Sequence, residues 1–319
     1  MFILKDSFRS IRNFAMGGCC VMFCALGIFE YRAPAPLKVQ SEIPVLTDGR
    51  IRGGSLVIAG GGYVPPEIRR RFIELAGGPE AKIVVIPATD PAPGQEDSWI
   101  KPWRSLGALH VELCNAQDRV TANSPKFCAA LGQATGVWMS GGYQDLLASR
   151  YVDTAVQKCL HDVLGRNGVV GGCSAGAAIL SRVMIKEGEE QPVEARGLDL
   201  ISDAIVDQHF LQRNRLWRLQ QMLETHPNLI GLGIDENTAL VVEVGAERLS
   251  VLGESYAMVC VPAVGNHGAR LEVLKAGDNV LLSQLRKSHM AYHTPLPEAK
   301  PVTIPDTKPT VLVSNSHAA

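Results

Sequence analysis

Short, fully apolar runs alternate along this chain with amphipathic stretches and glycine turns. Residues 55–59 (Ser-Leu-Val-Ile-Ala) run into Gly60-Gly61-Gly62, the pattern of a buried strand and its turn. Residues 65–76 carry helical periodicity, with proline at the start and Gly77-Gly78 beyond the end. Further buried strands are predicted over 82–87, 109–113 and 136–139, the last ending at Gly141-Gly142, and a helix over 145–164 precedes a strand at 168–170. Strands are also predicted over 229–234 and 239–244, and residues 248–251 and 257–261 read as an antiparallel pair closing one edge. Strands apolar on both faces and alternating with helices predict an α/β fold: a doubly wound, mostly parallel sheet with helices on both faces. In such folds the site lies at the carboxyl edge of the strands, where these glycine turns recur. The pattern fades from about residue 264. The chain therefore divides into a leader and linker (1–45), one α/β domain (46–264) and a C-terminal extension (265–319), largely a disordered tail rich in Pro, Ser and Thr at 295–319.

One of these turns carries chemistry. Gly172-Cys173-Ser174-Ala175-Gly176 is a Gly-x-Ser-x-Gly run directly after a predicted strand, the setting of a nucleophile elbow. Such a motif arises by chance in a chain with 31 glycines, so its companions must decide. Centring the elbow on Cys173 would put Ala175 at a flanking glycine position, whereas centring it on Ser174 gives glycine on both sides. Ser174 is thus the candidate nucleophile and Cys173 a small buried neighbour.

Composition changes the picture only at the N-terminus. The formal net charge is −1, which gives no global attraction to nucleic acid or anionic membrane. Lys5, Arg9 and Arg12, however, precede an apolar run over 14–29. A basic segment followed by an apolar one predicts a signal peptide or membrane anchor, hence an exported (periplasmic or secreted) or membrane-anchored protein. Of eight cysteines, Cys19, Cys20 and Cys24 lie in that leader, and the other five show no metal-like spacing. No metal and no cofactor is predicted. Oligomeric state stays open, a homodimer included.

A serine nucleophile requires a base. His209 follows the apolar pair Ile205-Val206 in Asp207-Gln208-His209-Phe210, which places it at the sheet edge predicted for Ser174. A helix-capping surface histidine is the plain alternative. Arg213, Arg215 and Arg218 follow within nine residues, with Arg215 and Arg218 on one helical face and Arg213 able to reach inward from the turn. Guanidinium forks bind carboxylates bidentately, so this cluster predicts an acidic substrate unless it is a solvated helix face.

Together, Gly172-Cys173-Ser174-Ala175-Gly176-Ala177, Asp207-Gln208-His209-Phe210 with its arginines, and Gly233-Ile234-Asp235-Glu236-Asn237-Thr238 resemble cyanophycinases and related peptidases of the S51 family. The turn at Gly141-Gly142-Tyr143-Gln144 is similar to that family's Gly-Gly-x-Gln segment, and Gly60-Gly61-Gly62 to its first glycine turn. The resemblance covers roughly residues 53–262. It implies a flavodoxin-like or class I glutamine amidotransferase-like fold and a serine-type exopeptidase acting beside aspartate. Cyanophycinases release β-Asp-Arg dipeptides from a poly-aspartate backbone whose side chains carry arginine, so the substrate implied is an acidic or β-aspartyl peptide. By the same resemblance Ser174 is the nucleophile, His209 the base, and Gln144, Asp207, Gln208, Arg213, Arg215 and Arg218 the substrate pocket.

The orienting acid stays open. The resemblance implies one in the polar loop between nucleophile and base, where Glu187, Glu189 and Glu190 lie, with Glu189 favoured and Glu190 next. Glu236 is a further candidate because it follows an apolar strand. Two departures from the family pattern, Tyr143 where aspartate is frequent and Trp217 within the arginine segment, reshape the pocket and allow a different aspartyl peptide. A catalytically silent binding module on the same fold is the alternative, opposed by the intact Ser174 and His209. Nucleotide binding at Gly60-Gly61-Gly62 is disfavoured, because no P-loop or Gly-x-Gly-x-x-Gly layout follows.

Overall fold

A computed structural model describes residues 53–244, 246, 248–263 and 269–281. The leader expected at 1–45 and the tail expected at 295–319 lie outside the described residues. Among the described residues, no helix is long and apolar enough to cross a membrane.

The first half of the chain winds a parallel sheet. Its elements run β1 (Ser55–Ala59), α1 (Pro66–Leu75), β2 (Lys82–Ala88), α2 (Asp97–Arg104), β3 (His110–Leu113), α3 (Arg119–Ala122) and α4 (Pro125–Gln133). They continue with β4 (Gly136–Gly142), α5 (Gln144–Tyr151), α6 (Ala155–Gly165), β5 (Val169–Cys173) and the short α7 (Ala175–Ala178). Strands β3, β2, β4, β5 and β1 lie side by side and parallel. Side-chain alternation along each strand feeds two cores. Leu56 and Ile58 face α4, α5 and α6, while Val57 and Ala59 face α1 and α2. On the second face Phe72, Trp103 and Trp138 pack ring to ring, with centroids 5.2 to 5.3 Å apart.

The helix predicted over 145–164 is two helices. Asp153 takes a left-handed backbone (φ 57°) between Tyr151 and Ala155, and that local turn breaks a segment whose apolar spacing alone reads as continuous.

The second half adds a hairpin and a second sheet. It runs β6 (Val183–Glu187), β7 (Val193–Arg196), β8 (Ala204–Gln208), α8 (Leu216–Thr225), β9 (Ile230–Ile234) and β10 (Thr238–Glu243). It ends with β11 (Arg248–Gly253), β12 (Tyr256–Val261), β13 (Arg270–Lys275) and β14 (Asn279–Leu281). β10, β11 and β14 extend the main sheet antiparallel beyond β1. β8, β9, β12 and β13 form a separate four-stranded sheet. The pair expected between 248–251 and 257–261 is therefore corrected: β11 bonds to β10, whereas β12 crosses to the second sheet and bonds to β9 and β13. The boundary expected at 264 also moves, since β13 and β14 lie beyond it and complete both sheets. Their alternating burial is shallow, which is why the apolar pattern fades there.

Candidate active site

Ser174 follows β5 in the main sheet, and its backbone (φ 53°, ψ −114°) is the strained strand-to-helix turn of an elbow. The two flanking glycines are steric necessities. A Cβ on Gly172 would lie 2.2 Å from the Gly176 carbonyl oxygen, and one on Gly176 would lie 2.1 Å from that of Met139. Cys173 is buried, and burial pushes its thiol up to about 11, so it stays protonated at neutral pH.

His209 leaves the end of β8, in the second sheet, with φ 50°. The two sheets therefore deliver nucleophile and base from different sides, instead of the single edge that the sequence suggests. Their meeting point is the Gly60-Gly61-Gly62 turn. Three successive carbonyls there receive amides from three segments: Ala59 from Ser174 (3.0 Å), Gly60 from His209 (2.7 Å) and Gly61 from Asn237 (3.0 Å). Gly61 also lies against the imidazole, where a Cβ would approach Cε1 to 2.3 Å. This turn, read in the sequence as a strand end and as similar to the family's first glycine turn, is the frame of the site.

The imidazole closes the arrangement. His209 Nε2 lies 2.8 Å from Ser174 Oγ, and His209 Nδ1 is hydrogen-bonded to the Glu236 carboxylate. The carboxylate on the imidazole is thus that of Glu236, not that of the favoured Glu189. Glu236 follows β9 and is held beside His209 by the Asn237–Gly61 bond, whereas Glu189 stands exposed on the β6–β7 hairpin, where its charge acts on Arg215. Glu187 and Glu190 are exposed on the same hairpin. Asp235 also escaped notice: its Oδ1 accepts from the amides of Leu211 (3.1 Å) and Gln212 (3.0 Å), and its Oδ2 from Ser255 Oγ (2.7 Å), pinning the turn that carries His209. An acid next to the one on the imidazole, in a turn after a strand, was its only signal.

Burial lowers the pKa of His209, with Arg213 and Arg215 acting in the same direction, while its bond to Glu236 raises it in part. The ring is thus neutral at neutral pH, the form a general base needs. 

The predicted pocket residues separate into two groups. Asp207 is fully buried and Arg218 nearly so, and they pair bidentately: Arg218 Nε donates to Asp207 Oδ2 at 2.7 Å, and Nη2 donates to Oδ1. Arg218 Nη1 also donates to the Gly188 carbonyl at 2.8 Å, tying the hairpin down. Arg215 Nη1 donates to the Gln208 carbonyl (2.7 Å) and to Gln208 Oε1 (2.9 Å). Gln208 Nε2 donates to Gln144 Oε1 (3.0 Å), and Gln144 Nε2 to the Ile185 carbonyl (2.6 Å). These five side chains form one network behind the site. Arg213 differs: it does not turn inward but stands exposed, its guanidinium without a hydrogen bond or ion pair among the described residues, with its charge acting on His209. Tyr143 and Trp217 are exposed as well, at 70% and 61%. Among the described residues no three His, Cys, Asp or Glu side chains gather as a metal site.

Residues 56–249 match the model of peptidase family S51. The chain belongs to that family. Cyanophycinase from Synechococcus elongatus is 33% identical over 254 residues, covering 72% of this chain and 79% of its own. Cyanophycinase from Trichormus variabilis is 34% identical over 242 residues, covering 68% and 81%. The crystal structure of a peptidase from an acI-B1 Actinobacterium superposes with a TM-score of 0.57 at 25% identity, covering 72% of this chain and 96% of that one. This S51 protein is a serine peptidase with the α/β fold that its strand pattern predicts.

Proposed function

We propose that Ser174, His209 and Glu236 are the catalytic triad of a serine-type exopeptidase that hydrolyses aspartyl peptides, cyanophycin to β-Asp-Arg dipeptides among them. The observation that carries this reading is the continuous hydrogen-bond chain from Ser174 Oγ through the imidazole to Glu236. Ser174 Oγ attacks the scissile carbonyl carbon while His209 Nε2 takes its proton. Glu236 holds the Nδ1–H tautomer and offsets the imidazolium charge. The Ala175 amide, first in α7 and without a hydrogen-bond partner among the described residues, receives the oxyanion. His209 then returns the proton to the leaving amine, and water repeats the sequence on the acyl-enzyme.

Arg213 is the group suited to a substrate carboxylate, because its fork is uncommitted. Asp207 and Arg218 satisfy each other and shape the pocket from behind. A silent binding module has no use for a neutral base bonded to an elbow serine. The exposed Tyr143 and Trp217 favour a second reading within the same chemistry, an aspartyl peptide other than cyanophycin. Incubation with cyanophycin and a panel of α- and β-aspartyl dipeptides tests the proposal. Release of aspartyl products supports it, and inertness toward all of them refutes it.

The order of charges and apolar residues in 1–29 further supports export or membrane attachment. Cell fractionation tests this, and an intact protein found wholly in the cytosol contradicts it.

A further inference from the structure

A groove of about 370 Å³ lies between α1 and α2, lined in part by Tyr63, Arg69, Ser98, Lys101 and Ser105. Its polar lining comprises two cations and three hydroxyls, and no carboxylate lines it. Arg69 is held in place: Nη1 donates to the Val64 carbonyl at 2.6 Å, and the guanidinium lies 5.9 Å from the centroid of the Trp103 ring. Lys101, in the last turn of α2, is exposed and has no ion-pair partner among the described residues.

The groove begins where the chain leaves the catalytic frame. Tyr63 directly follows the Gly60-Gly61-Gly62 turn and is 63% exposed. Two Cα steps of about 3.8 Å separate it from Gly61, which packs against the His209 ring. Arg69 is close enough to the elbow for its charge to act on Cys173. A peptide held at Ser174 therefore meets this groove within a few residues, at about 3.3–3.6 Å per extended residue.

We propose that this groove is an accessory subsite for carboxylate side chains of an extended acidic substrate, outside the pocket that holds the scissile residue. The inference rests on the aspartyl-peptide reading and adds that the enzyme discriminates by substrate length. Charge complementarity selects the occupant: paired cations without a facing acid attract a polyanionic segment and leave a single uncharged residue unassisted.

The test compares the full-length protein with Lys101→Met, Lys101→Glu and Ser105→Glu on an aspartyl dipeptide and on an oligo-aspartyl substrate. For the oligomer, KM rises about two- to fivefold in Lys101→Met, in line with an exposed charge contact. The rise is larger in the two glutamate variants and shrinks in high salt, while kcat and the melting temperature are unchanged. The dipeptide kinetics do not move. Binding of the same oligomer to Ser174→Ala, with and without Lys101→Glu, is read by calorimetry and tests the subsite independently of turnover. Equal dissociation constants in that pair, or an oligomer KM that matches wild type in all three variants, overturn the proposal. An equal KM rise for the dipeptide also overturns it. Failure of wild type to cleave either substrate, with tight oligomer binding that Lys101→Glu weakens, contradicts the hydrolytic reading and leaves the subsite standing.

Discussion

Two acid–base pairs are anchored at the end of β8, one by Asp207 and one by His209 two residues later, and they differ in almost every respect. Asp207 and Arg218 are sealed from water, bonded in a fork that leaves little of either free for a ligand. His209 sits two residues further on and meets Glu236 from the turn after β9; their side chains are 11% and 30% exposed, and His209 presents its second nitrogen to a serine. The difference arises from backbone geometry. Asp207 lies within the strand and points into the second sheet's packing, whereas His209 adopts a left-handed turn that swings it toward the glycine frame. A base and an acid thus build a rigid wall in one place and, in the proposed triad, the proton-accepting pair in the other. An ion pair near an active serine is not evidence of substrate binding until its exposure is known.

The contrast breaks most sharply at the nucleophile. Ser174→Ala is expected to lower kcat by about 10⁶-fold, as loss of a triad serine does, with an unchanged melting temperature. Glu236→Gln should follow with a loss of about 10⁴-fold, because the tautomer and the imidazolium lose their support. Its pH profile carries a further signature. Burial already lowers the His209 pKa and Glu236 partly restores it, so wild-type kcat/KM should fall with acid through a midpoint below the ordinary 6.5 of histidine. In Glu236→Gln that midpoint should move lower still. His209 contributes to stability with the same sign: its share is complete above pH 6.5 and is lost as pH falls below it.

Breaking the other pair should act on the fold. Arg218→Met strands a buried carboxylate and should cost about 3–5 kcal/mol in stability, read by denaturant titration, a cost partly relieved by adding Asp207→Asn. Arg213→Met is the smallest effect. It should lower kcat/KM about tenfold for acidic substrates alone, the weight of one charge-assisted contact, and leave stability untouched. Equal losses on neutral substrates would remove Arg213 from the pocket.

The strands of the parallel sheet and the elbow were legible because they depend on local signals: apolar runs, and two glycines with no room for a Cβ. The acid of the proposed triad was not legible. Glu189 and Glu236 both lie in polar segments near the sheet edge, and the choice depends on a long-range contact, the Asn237 amide on the Gly61 carbonyl. The arginine cluster misled for a related reason. Spacing put Arg215 and Arg218 on one face but could not reveal that both turn inward to Gln208 and Asp207 while Arg213 faces solvent. The strand at 257–261 joined the wrong neighbour because sequence proximity suggests a hairpin, and the crossing to a second sheet is fixed by pairing with β9.

The most direct test of the triad is the rate at which a small fluorophosphonate labels the protein, read by mass spectrometry of the modified peptide and independent of any substrate assignment. The account predicts a single adduct on Ser174, formed at least about 10³-fold more slowly in Glu236→Gln and at the wild-type rate in Glu189→Gln. Labelling slowed by Glu189→Gln and untouched by Glu236→Gln, or an adduct on another residue, would contradict it.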